Sequence, residues 1–169
     1  MNLKSILSYS FQSFYLAGSF LLLFIFLPTF YNLSIGIPLS VIGLVILTSR
    51  LFDVISDFLI GYLSEKRIIS GRSKKNQILL GIIVFIFSLF GLYVIQSDNI
   101  YSFIFFYNLA LVSYSIAIIP YDSIVIDQKK ILKKRFRLAA IKEIFAILGV
   151  LSALILSLIH ISEPTRREY

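Results

Sequence analysis

Cysteine is missing from this 169-residue sequence, and charged residues are scarce. Without cysteine the chain has no disulfide framework, no thiolate metal site and no catalytic thiol. Asp, Glu, Lys and Arg make up 15% of the residues, whereas soluble domains carry about 25%. The sequence also contains no glycine-rich phosphate loop, His/Glu metal motif or nucleophile elbow. A water-soluble enzyme is therefore excluded, and we expect neither enzymatic activity nor a cofactor.

Apolar residues dominate instead, at 58% of the sequence with a mean hydropathy of +0.90. One membrane crossing takes about 20 apolar residues, so this length allows about five. Lipid cannot satisfy the hydrogen bonds of an open backbone, so each crossing should be a helix. The sequence thus predicts an all-α polytopic membrane protein with spans near residues 7–30, 37–63, 78–96, 100–126 and 138–159.

Basic residues cluster in two of the four connections between these spans. They are Lys66, Arg67, Arg72, Lys74 and Lys75 in the first, and Lys129, Lys130, Lys133, Lys134, Arg135 and Arg137 in the second. The positive-inside rule places such loops in the cytoplasm, together with the amino terminus. The clusters account for most of the net charge of +7, so no nucleic-acid partner is needed to explain it. We expect a multi-pass protein of the cytoplasmic membrane, with the lipid bilayer as its surroundings.

The carboxy-terminal segment has a different character from the rest of the chain. Residues 156–166 match one reading frame of a transposon-end adapter used in sequencing libraries. We therefore expect two regions, an incomplete amino-terminal transmembrane bundle in residues 1–155 and a non-native tail in residues 156–169. His160, the only histidine, then has no claim to be a proton relay or a metal ligand.

Three charged residues lie inside the second predicted span. Arg50 precedes Asp53 by three residues, and Asp57 follows Asp53 by four. At about 100° per residue this spacing puts all three on one stripe of the helix, with Ser56 beside it. A charge at mid-membrane costs about 2.5–3.5 kcal/mol, so the stripe must face protein or water rather than lipid.

Two interpretations of this stripe are open. In the first, Arg50 and Asp53 form an ion pair that only locks helix packing. That pair leaves Asp57 unexplained, so Asp57 would carry a proton or contact a hard cation such as Na⁺. The second interpretation, a site for Na⁺ or H⁺, is favoured because ionisable residues inside membranes mark ion and substrate pathways.

Other polar positions give weaker signals. Ser115 could add a hydroxyl, and Pro120 should kink the fourth span. Asp122 fits an interfacial position near the cytoplasmic end of that span. Lys142 and Glu143 enter the fifth span as neighbours, which puts their side chains on different faces of the helix.

Four segments resemble one transporter family. Residues 50–57, RLFDVISD, are similar to the R-x-x-D-x-x-x-D signature of the glycoside–pentoside–hexuronide:cation symporters, the melibiose-permease branch of the major facilitator superfamily. Residues 61–74 resemble the cytoplasmic loop of that family, residues 119–121 its I-P-Y, and residues 135–149 its entry to span five. The resemblance implies two six-helix bundles, of which this chain would retain most of the first. The carboxy-terminal bundle of the same protein would be the missing partner.

The resemblance also implies roles for the stripe. Asp53 and Asp57 would coordinate the coupling cation, with Ser56 and Ser115 as lesser oxygen donors. Arg50 would form the helix-packing ion pair. No metal other than a possible Na⁺ is implied.

Substrate and gate residues are implied in the same way. Tyr114 and Lys142 would lie near the substrate, with Lys142 where the family has Arg. Gly61, Glu65 and Arg72 would belong to a cytoplasmic gate.

The sequence departs from the family pattern at several positions. Ser56 replaces the common Asn, and Phe58 replaces the common Pro. Sugar carriers of the melibiose type have acidic residues where this chain has Ala17 and Ile118. A polyol needs convergent polar groups in its pocket, so two substrate classes stay open, a sugar-like compound and another small organic solute.

Residues and resemblance together predict part of a cation-coupled secondary transporter, a Na⁺ or H⁺ symporter that works by alternating access. The alternative is a non-transporting membrane sensor or assembly partner, in which the polar stripe serves helix association.

We predict that the genomic sequence continuing beyond residue 155 encodes about seven further spans, because this architecture contains two six-helix bundles. Sequencing through the native locus checks this. A native continuation identical to residues 156–169 would contradict the adapter interpretation.

Overall fold

The computed structural model describes the backbone of residues 3–66, 74–95, 99–126 and 132–162, and the side chains of residues 6–65, 74–95, 99–124 and 136–156. Every regular element in these ranges is helical, which confirms the predicted all-α class. The α-helices are α1 (Leu3–Leu21), α2 (Leu27–Ser34), α3 (Leu39–Lys66), α4 (Lys74–Phe90), α5 (Ile100–Ile126) and α6 (Leu132–Ser162). Two π-helical turns, Leu22–Phe26 and Gly91–Ile95, follow α1 and α4.

Within the described residues, five helical segments are long and apolar enough to cross a membrane. They are Ile6–Ser34, Leu39–Glu65, Lys74–Ile95, Ile100–Ile124 and Phe136–Leu156. Each coincides with a predicted span, so the chain is a multi-pass membrane protein. The orientation of the amino terminus stays a prediction.

Several helices extend beyond the expected spans, among them α4 and α6. α4 begins at Lys74, four residues before the expected start of its span, because a helix can extend past the apolar stretch into polar surroundings. α6 continues to Ser162, so the boundary expected near residue 155 lies inside a helix. The adapter origin of residues 156–169 stays a prediction.

The connection between α2 and α3 shows how local sequence ends one helix and starts the next. Gly36 has a φ of 78°, a conformation that residues with a Cβ rarely adopt. The backbone N–H groups of Ile35 and Ile37 both donate to the carbonyl of Tyr31, at 3.2 and 3.4 Å. Pro38 comes just before α3, where its missing N–H costs nothing.

The chain divides into two compact units. The first unit comprises residues 1–27 and 129–169, and the second comprises residues 28–128. In the first unit α1 packs against α6, and in the second unit α5 packs against both α3 and α4.

Glycine allows the two helices of the first unit to approach closely. A Cβ at Gly149 would overlap the backbone of Phe14, and one at Gly18 would lie 3.1 Å from the carbonyl oxygen of Gly149. Small residues at such crossings let membrane helices gain van der Waals contact, since lipid provides no hydrophobic drive for helices to associate.

The second unit has a similar close approach between α4 and α5. A Cβ at Gly81 would lie 2.7 Å from the backbone nitrogen of Ala117 and 2.9 Å from the carbonyl oxygen of Ser113. The Ser113 hydroxyl donates to the carbonyl of Leu109 at 2.6 Å, so its polar group is satisfied within α5. The crossing therefore has no room for a side chain at Gly81.

We predict that Gly81→Ala destabilises the protein by about 1–3 kcal/mol, because the added methyl group forces α4 away from α5. The midpoint of SDS-induced loss of the helical circular dichroism signal measures this. Gly43→Ala is the matched control, since no atom lies within 4 Å of a Cβ at Gly43. Equal midpoints for the two variants would contradict the close approach.

Candidate cation site

The polar stripe of α3 is partly buried, and Asp53 is its most buried member. Asp53 is buried with 8% of its surface exposed, whereas Arg50, Ser56 and Asp57 are half-buried. The apolar residues between and after them are exposed, namely Leu51, Phe52, Val54, Ile55, Phe58 and Leu59. Asp53 is therefore turned toward the protein, while the apolar side chains beside it are turned outward.

Arg50 and Asp53 form the ion pair that the first interpretation requires. Arg50 Nη1 donates to Asp53 Oδ2 at 3.0 Å. The pair uses only one carboxylate oxygen, because Asp53 Oδ1 is buried without a hydrogen-bond partner. Part of the carboxylate is thus desolvated and not compensated by the pair.

Asp57 adds a second oxygen in the same condition. Asp57 Oδ1 is also buried without a hydrogen-bond partner, and the Asp57 carboxylate interacts electrostatically with that of Asp53. Hard cations prefer carboxylate oxygens as ligands, so these two buried oxygens could bind such a cation. Either carboxylate could instead bind a proton. The Arg50–Asp53 pair therefore does not account for the whole stripe.

Ser56 is oriented toward its own helix. Its hydroxyl donates to the backbone carbonyl of Asp53 at 2.9 Å, so the hydroxyl proton is engaged. The oxygen keeps lone pairs with which it can still accept or coordinate.

Helix α5, which packs against α3, carries an aromatic residue within electrostatic range of the stripe. Tyr114, a predicted substrate residue, interacts electrostatically with Arg50, and its ring lies 5.7 Å from that of Phe85 on α4. Ser115, the next residue, is buried. The structure therefore places the predicted Tyr114 in the same unit as the stripe and within electrostatic range of it.

Sequence reasoning missed Tyr107. This residue of α5 is fully buried and interacts electrostatically with both Arg50 and Asp53. The available signal was the seven-residue spacing of Tyr107, Tyr114 and Tyr121, which aligns three tyrosines on one face of a helix.

Lys142 lies on α6, in the first unit. Its side chain is 16% exposed, whereas that of Glu143 is 66% exposed, so the two neighbours do occupy different faces. Lys142 Nζ nevertheless reaches within 3.8 Å of Glu143 Oε1, a contact that the sequence did not predict.

Two of the three predicted gate residues, Gly61 and Glu65, lie near the carboxy-terminal end of α3. Gly61 is half-buried with no atom within 4 Å of a Cβ, and Glu65 is exposed. Arg72 lies outside the described residues. Gate function stays a prediction for all three.

Polar side chains join the helices of the second unit near this end. The Ser64 hydroxyl on α3 donates to Gln77 Oε1 on α4 at 3.1 Å. Lys74 Nζ on α4 donates to the Ser123 hydroxyl on α5 at 2.9 Å. Asp122 lies two residues before the end of its span at Ile124 and interacts electrostatically with Tyr114. These bonds hold α3, α4 and α5 together where the helices approach the predicted cytoplasmic surface.

Comparison with known proteins gives one match. The model of a family described as MFS/sugar transport protein matches residues 8–166, which include the stripe of α3 and the tyrosines of α5. No curated protein and no solved structure matches the chain.

We predict that Arg50→Leu destabilises the protein by about 1–3 kcal/mol, because it leaves the Asp53 carboxylate without its donor. Arg50→Leu combined with Asp53→Asn should recover part of that loss, since the second change removes the uncompensated charge. Unfolding midpoints of the three proteins provide the test. A double variant less stable than Arg50→Leu alone would show that the pair does not behave as a buried ion pair.

Proposed function

The chain belongs to the MFS/sugar transport protein family, and from that premise we propose that it is the cation-binding part of a cation-coupled secondary transporter. The family match confirms the predicted membership of the major facilitator superfamily and supports a secondary transporter of a small-molecule solute. The melibiose-permease branch and the coupling to a cation belong to the proposal. The alternative of a non-transporting sensor or assembly partner is not favoured by this membership.

One observation carries the proposal. Asp53 Oδ1 and Asp57 Oδ1 are both buried, lack hydrogen-bond partners and lie on a single stripe. A desolvated carboxylate without compensation is costly inside a membrane. A bound Na⁺ or proton would remove that cost, so an ion is the natural complement of these two oxygens.

The ion would change the charge balance of the stripe. In its absence the Asp53 and Asp57 carboxylates repel each other, and Arg50 compensates only one of them. With the ion in place the stripe carries one positive charge more, and the local repulsion disappears. The state of the bundle that bears a bound ion is therefore stabilised relative to the empty one.

Coupling follows from this stabilisation. If the ion-bound state also binds the solute more tightly, then ion and solute raise each other's affinity by the same factor. Transport would occur as two bundles rock about a site near the middle of the membrane. Residues 1–169 by themselves are expected to bind the ion but not to transport.

The solute is defined less narrowly than the coupling ion. Tyr114 and Lys142 are the proposed solute contacts, and they offer a hydroxyl and an ammonium group. Ala17 and Ile118 offer no hydrogen bond where melibiose-type carriers have acidic side chains. Each of these two groups, taken by itself, can bind a hydroxyl or an anionic group of a sugar-like compound or another small organic solute.

We predict that Asp57→Asn and Asp53→Asn each abolish stabilisation of the purified chain by the coupling ion. At an ion concentration of 100 times the Kd, binding should stabilise the unaltered protein by about 2.7 kcal/mol. Thermal unfolding with and without Na⁺, and across pH at fixed low Na⁺, measures the effect. In the protein with both bundles the same variants should lose cation-stimulated uptake while expression persists.

Glu143→Gln is the matched control for these experiments, because it replaces an exposed carboxylate outside the stripe. It should respond to Na⁺ or H⁺ as the unaltered protein does. An unchanged ion response in both Asp variants would overturn the proposed cation site.

A further inference from the structure

An aromatic column runs through the interior of the second unit. Its members are Tyr107 and Phe103 on α5 and Tyr31 on α2, all at most 2% exposed. The rings of Tyr107 and Phe103 are stacked with centroids 5.7 Å apart, and those of Phe103 and Tyr31 lie 4.4 Å apart. The Tyr31 hydroxyl then donates to the backbone carbonyl of Leu92 at 2.9 Å. The column is therefore continuous from α5 to the end of α4.

One end of the column is the fully buried Tyr107 on α5, a helix that packs against α3, which carries the candidate cation site. Tyr107 interacts electrostatically with Arg50 and with Asp53, the two residues that form the ion pair of the stripe. A buried tyrosine is thus within electrostatic range of a charge pair that includes Asp53, one of the two proposed ion ligands.

The other end lies at a backbone irregularity. Leu92 belongs to the π-helical turn Gly91–Ile95, which interrupts the regular hydrogen bonding of α4. A Cβ at Gly91 would overlap the ring of Phe106 on α5, so this turn is pressed against the same helix that carries Tyr107. The Tyr31 hydroxyl provides a donor for a carbonyl of this turn.

The packing makes the position of Tyr107 depend on both ends. Interiors packed without voids transmit displacements, because a ring cannot move without moving the rings against it. A buried tyrosine hydroxyl also needs a hydrogen-bond partner, so Tyr31 is held in place by the Leu92 carbonyl. Losing that bond would allow Tyr31 to move, and through it Phe103 and then the ring of Tyr107.

We propose that Tyr107 is a positioning residue of the cation site, and that the aromatic column links ion binding on α3 to the π-helical turn at the end of α4. This inference rests on the proposed function, because it assigns a role at the same site. Because linkage is reciprocal, the Tyr31–Leu92 hydrogen bond sets the ion affinity at Asp53, and the bound ion sets the stability of the turn.

The first experiment removes single hydroxyl groups and keeps the rings. Tyr107→Phe and Tyr31→Phe are compared with Tyr101→Phe, a matched change on α5 at a side chain that is 76% exposed. The midpoint of a Na⁺ titration is followed by thermal unfolding of the whole chain, and a pH titration replaces it if Na⁺ has no effect. The first two variants should shift the midpoint about five-fold or more, the lower range of allosteric coupling, and Tyr101→Phe should leave it unchanged.

The double variant Tyr31→Phe, Tyr107→Phe separates a linked column from two independent effects. If the residues act through one column, the shift of the double variant should be smaller than the combined shifts of the single variants. A merely structural role would lower the unfolding temperature of the ion-free protein and leave the titration midpoint in place.

A second experiment follows the π-helical turn, which lies at the end of the column away from Tyr107. The chain has no cysteine, so Val94→Cys in the π-helical turn introduces a single thiol at a position that is 60% exposed. Its rate of alkylation should respond to the ion in an otherwise unaltered chain and should lose that response when Tyr31→Phe is added. Should Tyr31→Phe fail to fold by circular dichroism, Phe103→Leu breaks the ring stacking instead and should have the same effect.

The possible failures are distinguishable. If Asp53→Asn and Asp57→Asn both keep the ion response of the unaltered chain, the proposed function and this inference are both overturned. If the unaltered chain responds but Tyr31→Phe, Tyr107→Phe and Phe103→Leu keep its titration midpoint, only the aromatic linkage is overturned.

Discussion

Hydrocarbon cannot solvate an ion, and each of the three charged side chains in the polar stripe of α3 would cost about 2.5–3.5 kcal/mol at the centre of a bilayer. That cost determines which way the helix faces. Asp53 is buried against the protein, and the apolar residues around it, such as Leu51 and Phe58, point outward. Arg50 then compensates one oxygen of Asp53, and Asp53 Oδ1 and Asp57 Oδ1 are left buried without a hydrogen-bond partner.

A second constraint comes from the lipid itself, which is as apolar as the helices and gives them no hydrophobic reason to associate. Helices of this chain instead meet where backbones can come close, at Gly149 in the first unit and at Gly81 in the second. Side-chain hydrogen bonds such as Ser64–Gln77 and Lys74–Ser123 add direction to the packing of the second unit. The stripe of α3 is therefore presented by a packed set of helices rather than by a single flexible one.

These features are consistent with a transporter that uses an ion to change the balance between states. An ion at Asp53 and Asp57 would alter the attraction between Arg50 and Asp53, and Tyr107 lies where it would respond to that change. The tyrosine hydroxyl at the far end of the aromatic column bonds to a backbone carbonyl in a π-helical turn, the kind of irregularity often found at functional sites. In this view the acidic residues bind the ion, and the buried rings carry its effect through the unit.

The five spans, their helical nature and the common face of Arg50, Asp53 and Asp57 could all be determined from the sequence alone. Each depends only on local quantities, namely the hydropathy of a short segment and the rotation of about 100° per residue along a helix. Only the tertiary structure decided which helices pair, that Tyr107 lies within electrostatic range of the ion pair, and that Tyr31 bonds to Leu92. It also showed that Lys142 and Glu143 meet although they occupy different faces. These contacts depend on how the helices pack and on the conformations of long side chains. Hydropathy and helical periodicity along the sequence do not encode either, so only the folded structure determines them.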